Sequence, residues 1–87
     1  MDDMRYQIYD KSAVIAQFQN KEDAEMFLRQ KRDDRIRGYT PEMIRETAEK
    51  YGLDPRLPGT HPYSAIKEVW EKYEDKVRRE LTMHILG

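Results

Sequence analysis

The 87 residues read as an α+β domain: an N-terminal two-stranded antiparallel β-hairpin packed on three helices, in the order β-β-α-α-α. Three observations carry this expectation. The first residues alternate with period two. Two later segments open with helix-start signals, Asn20 and Thr40-Pro41-Glu42. From Pro62 to Leu86, apolar residues recur at spacings of three and four.

The hairpin comes first. Met4, Tyr6 and Ile8 fall on one side of an extended Met4–Tyr9, with Arg5, Gln7 and Tyr9 on the other. Asp10, Lys11 and Ser12 are turn residues, and Ala13–Phe18 is the second strand. A lone hairpin is marginal in water, so it must lie against the helices. One or both of its edges would then be free to pair with another chain.

The helices follow in order. Asn20 caps a first helix from Lys21 to about Arg32, with Ala24, Phe27 and Leu28 on its apolar side. Acids at its start and cations at its end suit the helix dipole. Asp33–Tyr39 is expected as a connector that bends at Gly38. The Thr40 hydroxyl caps a second helix with Pro41 at its first position, and Met43, Ile44, Thr47, Ala48 and Tyr51 face inward. Gly52 ends it as a left-handed cap. Leu53–Thr60 holds two prolines and a glycine and reads as a stiff loop. The final helix, Pro62–Leu86, carries an apolar stripe at Ile66, Val69, Trp70, Tyr73, Val77, Leu81 and Ile85. Its opposite side is charged, with acid-first pairs Glu68–Lys72, Glu74–Arg78 and Asp75–Arg79.

Composition narrows the function classes. One domain of this length has a thin core, so support from self-association would help it. Without cysteine there are no disulfides, thiol catalysis or cysteine zinc sites. Charged residues make up 38% of the chain, but the net charge is only −1, so the overall balance attracts no polyanion. No run is long enough to span a membrane. The opening Met1-Asp2-Asp3-Met4 lacks the apolar core of a secretion signal, and a cytoplasmic location is expected.

Four groups of residues are candidates for chemistry. Arg29, Lys31, Arg32, Arg35 and Arg37 cluster just before Tyr39, and such a set can hold phosphates beside a stacking aromatic. The competing account is a solvated helix end whose charges pair with Asp33 and Asp34. His61 and His84 stand at unrelated spacings, and neither Ser12 nor Ser64 sits in a nucleophile motif. His61 is expected to help cap the last helix, with Asp54 an acid that could join it. Glu68, Glu71, Glu74 and Asp75 alternate with cations, as on a solvated face. Among the aromatics, Tyr6, Tyr51, Trp70 and Tyr73 are expected in the core, while Tyr9 and Tyr39 are free for an interface. No catalytic residue, metal ligand or cofactor site is assigned.

The opening Tyr6-Gln7-Ile8-Tyr9-Asp10, Val14-Ile15-Ala16-Gln17-Phe18 and Asn20-Lys21-Glu22-Asp23-Ala24-Glu25-Met26-Phe27-Leu28 resembles the strand–strand–helix start of assorted small bacterial and bacteriophage proteins, some of them phage-encoded inhibitors of host defence. The resemblance covers about the first third of the chain and implies a small phage or mobile-element accessory protein. It carries over no site residue.

These readings converge on a non-enzymatic module that binds another protein by occlusion, through the hairpin edge, Tyr9, Tyr39, Arg35 and Arg37. A homodimer through the hairpin edge or the last helix fits the same pattern. The alternative is a nucleic-acid-binding accessory protein that uses the basic 29–37 segment.

Overall fold

A computed structural model describes residues 4–86, so Met1-Asp2-Asp3 and Gly87 lie outside the described residues. Two strands open the chain, β1 (Tyr6–Asp10) and β2 (Ala13–Phe18). Then come helices α1 (Lys21–Gly38) and α2 (Thr40–Tyr51), a 3₁₀ turn at Pro58–Thr60, helix α3 (Tyr63–Glu80) and a last strand, β3 (Leu81–Ile85). The three strands form one antiparallel sheet in the order β2-β1-β3.

The last strand corrects the sequence reading. The stripe from Pro62 was expected to stay helical to Leu86, but helix gives way to strand at Leu81. Leu81 and Ile85 continue the helical stripe, while Leu81, Met83 and Ile85 together satisfy period two, so the stripe alone did not reveal the strand. The open side of β1 decides for strand. Pairing Gln7 with His84 and Tyr9 with Thr82 satisfies the backbone groups of β1 on that side, and the same register buries Leu81 in the core. Both sides of β1 are therefore occupied, and the free edges belong to β2 and β3.

The segment Asp33–Tyr39 is also corrected: it is not a connector, since α1 continues through Gly38. Nothing between Asp33 and Arg37 breaks a helix, and Ile36 extends the buried line of Ala24 and Leu28. Tyr39 alone separates α1 from α2, its N–H donating to the Ile36 carbonyl at 3.1 Å. The Asn20 cap forms as expected, its side-chain oxygen accepting from the Glu22 N–H at 2.9 Å. Thr40 lies inside α2 and does not cap it. Gly52 closes that helix at φ 66°, with its N–H donating to the Ala48 carbonyl.

The core gathers Ile8, Ala24, Leu28, Ile36, Met43, Val69, Val77 and Leu81, from the inner face of the sheet and all three helices. Phe18 and Phe27 close one end, ring centres 5.3 Å apart. Helices α2 and α3 run antiparallel, tied by Lys50 to Glu68 at 2.7 Å and by a Lys72–Glu46 ion pair. Glu68 and Lys72 therefore pair across helices and not with each other.

The outline is long, 57 × 21 × 17 Å. Its radius of gyration is 16.7 Å, where a compact chain of this length has about 12 Å. The sheet and α1 make one end. The α2–α3 helical hairpin extends beyond them, and only a single layer of helix backs it. Two expected core residues lie on this extension and are partly bare: Tyr51 is 41% exposed and Trp70 38%.

Candidate interaction surface

Helices cover one face of the sheet only. The inner face holds Ile8, Ala16, Phe18 and Met83 against the core. Alternation then turns Gln7, Tyr9, Gln17, Thr82 and His84 to the outer face. There the rings of Tyr9 and His84 pack at 4.4 Å, and the Tyr9 hydroxyl donates to Gln7 Oε1 at 3.1 Å. Tyr9 is thus held on the outer face, half-buried, with His84 exposed beside it. The sequence suggested Tyr9 but not its partner, because His84 lay in the expected helix.

The two sheet edges differ. On β3, Arg32 donates from Nε at 3.1 Å and Nη2 at 2.7 Å to the Leu81 carbonyl. That carbonyl points away from β1. The Lys11 N–H bonds the Glu80 carbonyl and the Leu86 N–H bonds the Arg5 carbonyl, which fixes the ladder's alternation and turns residue 81 outward. Arg32 therefore blunts the start of the β3 edge. On β2, the edge reads Ala13-Val14-Ile15-Ala16-Gln17-Phe18, without charge or proline. Val14 and Ile15 are each 42% exposed. The register with β1 shifts at Ile8/Tyr9, which leaves Ile15 as an extra residue in a bulge.

The basic segment is not one surface. Arg35 holds Asp10 with two hydrogen bonds and approaches Glu80 at 3.9 Å. Arg32 is spent on the β3 edge, and burial pushes its pKa down. Arg37 lies 3.9 Å from Asp34 on the exposed surface, and the Lys31 ammonium sits 5.4 Å from the Phe27 ring centre. At about 100° per residue, Arg29 and Lys31 point about 200° apart around α1. Arg29 and Lys31 therefore diverge, and Arg32 and Arg35 are engaged within the chain.

Tyr39 is likewise occupied within the chain. Its hydroxyl donates to Glu80 Oε1 at 3.2 Å, its ring lies 5.4 Å from Tyr73, and the Lys76 ammonium stands 4.8 Å from its centre. Burial raises the Tyr73 hydroxyl pKa, while the Lys72 hydrogen bond lowers that of Glu46. His61 is buried with Nε2 2.9 Å from the Asp54 carbonyl, so it pins the loop before α3 and does not cap that helix. The Arg56 backbone and side chain lower the Asp54 pKa. Among the described residues no three His, Asp or Glu side chains converge as metal ligands. No helix among them is long and apolar enough to cross a membrane.

Along α1 and α3 runs a groove of about 590 Å³. Leu28, Ile36, Trp70 and Val77 give it an apolar floor, and Arg29, Arg78, Asp33 and Glu74 stand on its rim. No protein-family model, no curated protein and no solved structure matches the chain.

Proposed function

We propose that this chain is a non-enzymatic module that binds another protein by accepting one of its extended segments along the β2 edge. The supporting observation is the contrast between the edges. The β3 edge begins under an arginine, while the β2 edge offers six uncharged residues with Val14 and Ile15 bare. A strand added there would gain main-chain hydrogen bonds, and its alternate side chains would lie beside Val14 and Gln17 on the outer face of β2. Occupying a partner's segment in this way is occlusion, the mode of action of a small inhibitor or accessory protein.

The test is affinity capture of the tagged chain from a lysate of its own host, with and without nuclease, against an Ile15→Lys variant. The expected result is a protein that survives nuclease and is lost with Ile15→Lys, because a charge on the edge opposes strand addition. A partner retained by the variant would remove the β2 edge from the interface. Nucleic-acid binding through Arg29, Lys31, Arg32, Arg35 and Arg37 has weaker support, since Arg32 and Arg35 are engaged internally. It would show as recovery that collapses with nuclease and as affinity falling steeply with salt.

A further inference from the structure

The groove along α1 and α3 carries a second inference, separate from the β2 edge. Its floor joins the core residues Leu28, Ile36 and Val77 to Trp70, which is 38% exposed. The Trp70 Nε1–H donates to Glu74 Oε2 at 3.0 Å, so the polar edge of the indole is fixed at the rim. The groove's volume, about 590 Å³, falls in the range of small-molecule sites, roughly 300–1,000 Å³.

The charges around this floor are unequally partnered. Glu74 accepts from Trp70 and from Arg78 Nη2 at 2.6 Å, and Glu25 faces Lys21 at 3.9 Å. Arg29 and Arg32 have no carboxylate within 4.0 Å among the described residues. Asp33 stands one turn beyond Arg29, in the cation-first order that pairs less well, and does not reach it. Arg32 is half-buried. Two of its five N–H donors are used on the Leu81 carbonyl, and three remain. Burial lowers its pKa, and the Arg78 charge lowers it further. A guanidinium taken from water without a counter-charge is costly, and an anion beside it offsets that cost. Arg29 lies three residues earlier, about 60° around α1 from Arg32, so both line the same groove.

We infer that the groove binds a small carboxylic acid, its apolar body on Trp70 and the floor and its carboxylate between Arg29 and Arg32. The unpaired arginines select an anion over a neutral or cationic ligand, and a carboxylate offers two oxygens to their remaining N–H groups. The apolar floor selects an anion with a hydrocarbon body over a bare inorganic ion. Asp33, on the same rim, opposes the carboxylate, which makes its removal informative.

The experiment titrates the full chain with octanoate, octan-1-ol and octylammonium, reading Trp70, the only tryptophan, by emission and the stoichiometry by calorimetry. The expected result is one octanoate per chain, with the emission moving to the blue and octan-1-ol binding roughly ten-fold more weakly. Arg29→Gln weakens octanoate by roughly ten-fold and leaves octan-1-ol unchanged, while Asp33→Asn tightens octanoate a few-fold. Both residues are exposed, so circular dichroism of each variant should match the parent. Ile15→Lys leaves octanoate binding intact, because the β2 edge takes no part. The absence of saturable binding at millimolar octanoate overturns the inference. Equal affinity for octanoate and octan-1-ol, tighter binding of octylammonium, or weaker octanoate binding by Asp33→Asn each overturns it as well.

Discussion

Arg35 grips Asp10 with both ends of its guanidinium, Nη1 to Oδ1 at 2.7 Å and Nη2 to Oδ2 at 2.5 Å. The pair joins the last turn of α1 to the end of β1, beside the Tyr39–Glu80 contact. It fixes how the sheet sits on the helices.

The Asp10–Arg35 pair makes stability depend on pH. The Arg35 hydrogen bond lowers the Asp10 pKa below its ordinary 3.8, outweighing the opposing effect of burial. A carboxyl with a depressed folded-state pKa contributes stability that is present above the ordinary value and lost as pH falls through the folded one. Asp10→Asn should therefore cost about 1–2 kcal/mol at neutral pH, and the gap to the parent should close in acid. Urea unfolding at a series of pH values reads both effects. Arg35→Lys should recover only part of the loss, since an ammonium cannot bond both oxygens in the same fork.

Proline scanning tests the strand at the chain end. The ladder alternation directs the Thr82 N–H toward β1 and the Met83 N–H away from it. Each measured against its alanine variant, Thr82→Pro should cost about 1–3 kcal/mol more, and Met83→Pro clearly less. Were the segment helical to Leu86, the two changes would cost similar amounts. Thermal unfolding separates these outcomes.

The hairpin turn holds Lys11 at φ 59°, a left-handed conformation that side chains disfavour. Lys11→Gly should raise stability by about 0.5–1 kcal/mol, a few degrees in Tm. Lys11→Val should lower it, because branching at Cβ worsens the same clash.

Two stripe residues that look alike in sequence should differ sharply. Leu81 is 1% exposed, and Leu81→Ala should cost about 2–4 kcal/mol. Trp70 is partly bare, so in dilute protein Trp70→Ala should cost under about 1 kcal/mol. Denaturant midpoints measured under the same conditions make the comparison.

Much of the fold can be read directly from the chain. The alternation across Tyr6–Phe18 requires strands, Asn20 marks where α1 starts, and Gly52 marks where α2 stops, because each is a local matter of backbone sterics and nearby hydrogen bonds. The absence of cysteine and the mixed charges are equally local facts. On the outer face of the sheet, the placement of Tyr9 was legible and that of His84 was not. Leu81–Ile85 fits either helix or strand, and the open side of β1, more than seventy residues earlier, selects strand. The basic run is similar. Composition cannot tell a free arginine from one spent on a carbonyl or a carboxylate, and the sheet's arrival beside α1 engages Arg32 and Arg35 while leaving Arg29 on the groove rim. Trp70 and Val77 belong to one stripe, yet α1 reaches only the second well enough to bury it. In each case the deciding partner is distant in sequence, and burial depends on what arrives opposite a side chain as much as on the side chain itself.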